Sequence, residues 1–232
     1  MAGRIAYTGG IVTNGLVLNL DAAKRDSYPG VGTSWRDIVS NTVTGSLLNG
    51  PTFNSGNGGS IVFDGVDDGV SIQHNSNIDI RNQITMECFF KLNSFTPGGP
   101  SADRTALIIK SYSYYLTINT TGKIDTYFYG TNTGAYYTSN SSVSLNQWTQ
   151  AVVTFNGNTV NWYINGNLDK SQSQTGTITP DQNADLGIGR EVFANYGRGL
   201  NGTISKVLIY NRALSASEVL QNYNALKGRF GL

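Results

Sequence analysis

Short runs of alternating apolar and polar residues, closed by Gly or Asn, fill most of the chain. Met86, Cys88 and Phe90 alternate with Glu87 and Phe89 within residues 84–92, the period-two pattern of a strand with two distinct faces. Val160, Trp162 and Ile164 alternate with Asn161, Tyr163 and Asn165 in the same way. A strand at 148–155 precedes them. The intervening Asn156-Gly157-Asn158 supplies the positive φ of a hairpin turn, as Asn165-Gly166 does at the far end. Further strands are predicted at 106–110, 114–119, 123–129 and 184–188, with short pieces at 47–50 and 51–53. Residues 60–63 form another, which 70–72 is expected to resume after a turn. Leu16, Leu18 and Leu20 are expected on one face of an early strand, and Trp35 is expected to anchor a loop against the core.

Residues 201–223 close the pattern with a strand and the start of a helix. Ser215 can cap the helix with Glu218 three positions later, while Leu214 and Val219 form a hydrophobic staple, so all four are structural residues. Ile204, Val207 and Ile209 cannot share one face of a regular pleat, which predicts a bulge near Ser205 and Lys206. About a dozen strands with hairpin spacing and one terminal helix predict an all-β fold, a two-sheet antiparallel β-sandwich of jelly-roll type with a short C-terminal helix. Residues 1–15, with turns at Gly9-Gly10 and Asn14-Gly15, read as an N-terminal arm or first edge strand ahead of one domain over 16–232.

Composition agrees with many short strands and tight turns: 13% charged residues, 28 Gly and 13 Tyr in 232 residues. A chain of this length buries a core without disulfides or structural metal. The net charge of +1, with no basic run, argues against nucleic acid as a partner. Cys88 is the single cysteine and reads as a small buried hydrophobe. No apolar leader-like stretch opens the chain and nothing reaches membrane-spanning length, so synthesis in the cytoplasm without a cleaved signal or membrane insertion is expected.

Candidate chemistry is sparse. Glycoside hydrolysis needs two carboxyl groups roughly 5–9.5 Å apart. The three glutamates, Glu87, Glu191 and Glu218, form no closely spaced acidic pair within a strand, and His74 has no cysteine or acid beside it in sequence. No catalytic residue is expected, and no cofactor is required. Asp64, Asp67 and Asp68 offer the oxygen ligands a calcium ion takes. The Asp64-Gly65 and Asp68-Gly69 steps favour the other reading, turn residues bonded to local backbone. Tyr112, Tyr136, Tyr137 and Tyr196 are candidate glycan-binding residues, because a ring gives large contact area at low entropic cost. Tyrosine also suits half-buried strand positions, which is the reading for most of the others.

Residues 59–68 (GSIVFDGVDD), 84–90 (ITMECFF), 148–155 (WTQAVVTF), 162–166 (WYING) and 202–215 (GTISKVLIYNRALS) occur in that order. Together they resemble the laminin G-like, concanavalin A-like lectin/glucanase superfamily over roughly residues 16–226. The resemblance implies a jelly roll with one curved sheet, whose concave side and loop rim often bind glycans. Some relatives hydrolyse β-glucans with two carboxylates two or four residues apart on one strand, a spacing missing here. A pentraxin-like calcium loop would fall near Glu191, but its acidic cluster is missing too. Residues 15–24 (GLVLNLDAAK) with Trp35-Arg36-Asp37 resemble a version common in structural proteins of tailed bacteriophages. That implies a virion decoration or fibre-associated protein in an oligomeric assembly, with other virion proteins and host-surface glycans as partners. The alternative is a carbohydrate-binding module of a cellular protein; a β-glucan hydrolase is disfavoured.

Overall fold

The structure is a computed structural model that describes residues 9–40, 43–99, 103–132, 135–193 and 197–232. The strands are β1 (Leu16–Asp21), β2 (Ser34–Arg36), β3 (Thr44–Leu48), β4 (Thr52–Asn54), β5 (Ser60–Asp64), β6 (Gly69–Ile72), β7 (Ile84–Leu92) and β8 (Arg104–Lys110). They continue with β9 (Tyr114–Asn119), β10 (Lys123–Phe128), β11 (Tyr137–Ser142), β12 (Thr149–Phe155), β13 (Thr159–Ile164), β14 (Asn167–Ser173), β15 (Leu186–Ile188) and β16 (Asn201–Tyr210). Helix α1 (Ala216–Phe230) follows. The first sheet has the order β14-β13-β12-β7-β16-β5-β4, with β1 also on β16; the second is β11-β10-β9-β8-β15-β6-β3-β2. This is the expected antiparallel sandwich. Met86, Cys88 and Phe90 of β7 and Trp162 of β13 meet Ile108, Tyr114, Leu116 and Ile124 of the second sheet in one continuous core that also takes Trp35.

Bulges decide which side chains reach that core. In β16 the register shifts between Ile204, opposite Phe90, and Lys206, opposite Phe89. The extra residue, Ser205, lets Ile204, Val207 and Ile209 all face inward, as predicted. The same device corrects the reading of β1. Its register shifts between Leu16 and Leu18, so Leu18 and Leu20 enter the core while Leu16 packs on the opposite face with Tyr210. Nor do residues 70–72 resume β5. β5 belongs to the first sheet and β6 to the second, so the turn with Asp64, Asp67 and Asp68 crosses between sheets.

β11 and β14 carry no apolar alternation, and each is the edge of its sheet. They meet along one side of the sandwich. The Asp169 carboxylate accepts the backbone N–H of Asn140 (2.6 Å) and Ser141 (3.1 Å), and Lys170 Nζ donates to Thr138 O (2.7 Å). Charged side chains thus tie two edges that would otherwise offer unpaired backbone.

Helix α1 covers the outer face of the first sheet. Leu214 and Val219 pack with Val152, Tyr163, Leu208 and Tyr210. Ser215 and Glu218 form the reciprocal capping box, and Arg212 holds Glu218 through two bonds of 2.9 and 2.6 Å. The helix reaches Phe230, whose ring stacks on Phe89, before Gly231 ends it at φ 71°. Residues 9–13 form no strand but strap onto this layer. Val12 N–H donates to Asn222 Oδ1 (2.8 Å), Tyr210 O–H donates to Val12 O (3.0 Å) and Gln221 Nε2 donates to Gly10 O (2.9 Å). Residues 1–8 of the expected arm lie outside the described residues. Beneath the strap, the buried Glu87 carboxylate accepts from Gln150 Nε2 and Asn222 Nδ2, both at 2.7 Å.

Candidate functional site

Among the described residues no helix covers the outer face of the second sheet, and its character follows from a bulge in β8. The register shift between Ala106 and Ile108 sends both Leu107 and Ile108 into the core. Ala106 and Ile109 are left on the outer face, where they seat Tyr115, Tyr127, Tyr129 and Tyr136. The Tyr127 ring lies 4.5 Å from that of Tyr129 and 5.1 Å from that of Tyr136, with planes tilted by 56° and 55°. The group therefore presents a ridged surface of ring edges and faces, not one flat platform.

Charges frame these rings and are paired among themselves. Arg104 lies 3.7 Å over the Tyr136 ring and binds Asp125 (2.8 Å) and Asp103. Buried Glu191 accepts from Ser111 Oγ (2.9 Å) and Tyr115 O–H (3.3 Å) and pairs with Arg198 at 3.1 Å. Burial pushes the Tyr136 hydroxyl up to about 12, against the pull of Arg198 and Arg104. Burial, reinforced by the Glu191 charge, raises that of Tyr115 further. Both remain protonated donors at neutral pH.

Tyr112 stands at the tip of the β8–β9 hairpin. Its φ of 57° lies in the left-handed region, which a bulky side chain rarely adopts. Its N–H donates to Tyr115 O–H at 3.2 Å, and its ring meets Tyr129 and Phe193 edge-on at 5.6 and 6.2 Å. The residue is 44% exposed and forms one lip of a cleft of about 700 Å³ lined also by Arg81, Tyr129, Gly130, Asp181 and Asn183. The facing wall is fixed by two backbone bonds, Thr179 N–H to Tyr129 O (2.8 Å) and Ile178 N–H to Arg81 O (2.7 Å), and by Asp181 N–H donating to the Ser113 hydroxyl (2.8 Å). Gly130 permits this approach, because a Cβ there would sit 2.2 Å from Thr179 Oγ1.

Of the four tyrosines predicted to bind glycan, Tyr112 and Tyr136 share this surface and are bridged by Tyr129 and Tyr127. Tyr137 begins β11 with the opposite orientation and packs against the inner core. Tyr196 lies outside the described residues. Asp64, Asp67 and Asp68 do converge, each offering a carboxylate oxygen within 4.8 Å of the others. Two of their oxygens serve the turn itself. Asp68 Oδ2 accepts Asp64 N–H (2.9 Å), and Asp64 Oδ1 accepts Val66 N–H (2.7 Å). These three would be the ligands of a calcium ion, their oxygens being of the right chemistry for a hard cation. Sequence reasoning missed Arg81, Asp181, Phe193 and Arg198, which loops far apart in the chain bring to the rings. The one local signal was an aromatic residue inside a turn, Ser111-Tyr112-Ser113. His74 has an acid partner after all, Asp79, with Nδ1 to Oδ1 at 3.4 Å.

Two antiparallel sheets in this order, one helix-covered and one open, define a lectin-like β-sandwich. Residues 64–220 match the family model of the Concanavalin A-like lectin/glucanases superfamily, laminin G type, and the chain belongs to that family. No curated protein sequence matches it. Among solved structures, domain 4 of an extracellular arabinanase from Geobacillus stearothermophilus, in complex with arabinotriose, is similar with a TM-score of 0.64 at 18% identity. That match covers 90% of this chain and 98% of that one. The binding domain of Paraclostridial Mosquitocidal Protein 1 gives a TM-score of 0.69 at 17% identity, over 91% of this chain and 52% of that one. A Trypanosoma rangeli sialidase in complex with sialic acid gives 0.67 at 17% identity, over 95% of this chain and 34% of that one. The chain thus spans nearly all of the arabinanase domain, but about half and a third of the other two. At these identities the likeness establishes the fold.

Proposed function

We propose that the chain is a non-catalytic glycan-binding module, using the tyrosine-bearing face of the second sheet and the adjoining cleft, and that it is displayed on a tailed-bacteriophage virion. The observation behind the binding reading is Tyr112. A bulky aromatic residue kept in a strained backbone conformation and half exposed at the lip of a cleft contributes little to the core, and such strain persists where a site needs it. Around it, Arg81, Asp181, Gln182 and Asn183 offer donors and acceptors to hydroxyl groups, while Tyr112 and Tyr129 offer ring surface to sugar C–H groups. The arabinotriose in the arabinanase domain supports a carbohydrate partner for this fold.

The three glutamates all serve the fold. Glu191 is buried and tied to Ser111, Tyr115 and Arg198; Glu87 lies under the strap of the other sheet; Glu218 caps α1. Each glutamate is thus engaged in a structural contact. A glycan array probed with the wild type and with Tyr112→Ala tests the reading. Saturable capture is expected, weakened at least about tenfold in the variant, as for loss of one aromatic contact. Capture of no glycan overturns it.

The virion reading stands on the phage-like residues 15–24 and 35–37, which build β1 and β2. Other virion proteins and host-surface glycans would be its partners, in an oligomeric assembly. Because residues 9–13 strap the sandwich itself, attachment falls to residues 1–8 or a sheet edge. Deleting residues 1–8 should leave the fold intact and abolish incorporation into particles; unchanged incorporation removes that role. Absence of the protein from purified particles would favour the cellular carbohydrate-binding module instead.

A further inference from the structure

Behind the cleft wall lies a buried cation that the glycan-binding reading does not use. Lys110 ends β8 with its side chain fully enclosed. Its ammonium donates to the backbone oxygens of Asp181 (2.5 Å) and Ala184 (2.8 Å), bracketing the segment from which Asp181 and Asn183 line the cleft. An ammonium has only protons to offer, so its third neighbour must accept. That neighbour is His74 Nδ1, at 3.3 Å. The same nitrogen lies 3.4 Å from Asp79 Oδ1, which is itself 3.7 Å from Lys110 Nζ.

Three atoms in this triangle can satisfy only two at a time. When the imidazole is neutral with Nδ1 unprotonated, it serves Lys110, and the buried Asp79 Oδ1 has no hydrogen-bond partner among the described residues. A proton on Nδ1 reverses the roles: the ring then donates to Asp79 and turns a positive charge toward the ammonium. The backbone of the histidine is anchored beside the pair. Asp185 Oδ1 accepts its backbone N–H (3.1 Å), and Asp185 Oδ2 accepts the Ser71 hydroxyl (2.9 Å). The charged groups facing the pair are Asp79 beside the helical turn at 76–78, and Asp181 and Asp185 before β15. Burial already lowers the Lys110 pKa against the attraction of these carboxylates, so a second cation beside it weakens the charged form further.

We propose that Lys110 is the positioning residue of the cleft wall and that protonation of His74 loosens its hold, making the cleft acid-sensitive. The consequence for ligand capture rests on the glycan-binding reading; the response of the wall does not. Amide hydrogen exchange at residues 178–185 should be followed at pH 7.5 and 5.0, which brackets the range where imidazoles change charge, and corrected for intrinsic rates. Protection in the wild type should fall about tenfold at the lower pH, a local opening of the wall. In His74→Gln it should be the same at both values. Lys110→Met should leave the wall poorly protected throughout, with partial recovery in Lys110→Arg. Should Lys110→Met fail to fold, the His74→Gln comparison decides alone. Wild-type protection that does not change with pH, or an equal fall in His74→Gln, overturns the proposal. With the glycan selected on the array, wild-type capture should weaken severalfold at pH 5.0 and His74→Gln capture should not. An array that retains no glycan sinks the binding reading, while the exchange data still judge the wall.

Discussion

Glu87 gives the sharpest quantitative prediction. It is fully enclosed between the first sheet and the N-terminal strap, and burial pushes its carboxyl from an ordinary 4.5 to about 7. Hydrogen bonds from Asn222 and Gln150, and the Lys206 charge, act in the opposite direction and are outweighed. The unfolded chain gives up this proton near 4.5 and the folded chain near 7, so between those values the folded state binds more protons. Glu87's contribution is therefore most favourable below pH 4.5 and is lost as pH rises through 7. At about 1.4 kcal/mol per pH unit, the loss approaches roughly 3 kcal/mol by pH 8.5. Urea unfolding of the wild type and Glu87→Gln across pH 4.5 to 8.5 measures it, because groups common to both cancel in the difference. The variant pays no charge penalty, but its amide must point one donor at Gln150 or Asn222, costing about 1–2 kcal/mol at low pH. The two stability curves should therefore converge or cross as pH rises. Parallel curves would refute the reasoning, since Glu87 would then titrate as it does in the unfolded chain.

Four further substitutions have defined outcomes. Tyr112→Asn, which suits a left-handed backbone, should leave unfolding free energy unchanged or raised by up to about 1 kcal/mol while weakening glycan capture. Tyr115→Ala, from the buried part of the same cluster, should cost about 3 kcal/mol; equal losses for the two would remove the distinction between contact ring and supporting ring. The bonds from Arg212, more than those from Ser215, hold the Glu218 carboxyl down at about 2. Its contribution is then present above pH 4.5 and lost as pH falls through 2, so Glu218→Gln should cost about 1 kcal/mol at pH 6 and almost nothing near pH 2, by thermal unfolding. Asp68→Ala strands the Asp64 N–H and should cost about 2 kcal/mol, whereas a chelator should leave the Tm unchanged. A chelator-induced fall of more than about 3 °C would instead make calcium the turn's support.

Much of the fold was legible because the pleat writes itself into the chain. β7 occupies the residues its alternation predicts, and the misfit of Ile204, Val207 and Ile209 located the Ser205 bulge. The capping box was legible because all its partners lie within four residues. Legibility failed where the period was broken or never written. A bulge in β1 turned Leu16 away from Leu18, and the sheet crossing between β5 and β6 leaves no trace in alternation. β11 and β14 escaped because polar edge strands bury no stripe. The site was legible only as a surplus of tyrosines. Which of them share a face depends on strand phase: Tyr136 and Tyr137 are neighbours in sequence and point to opposite sides of a sheet. Arg104 meets Asp125 and Lys110 meets His74 only through the fold, across 21 and 36 positions, so no local pattern could announce them.

The cleft beside Tyr112 and the tyrosine face are proposed to receive a glycan. Titrating ¹⁵N-labelled protein with the glycan selected on the array, and following backbone amide shifts, tests it most directly. Saturable shifts are expected, centred on Tyr112, Gly130, Thr179 and Asn183, spreading to Tyr127 and Tyr136 and leaving α1 unmoved. Shifts centred instead on the Asp64–Asp68 turn or on α1, with the cleft amides silent, would contradict it.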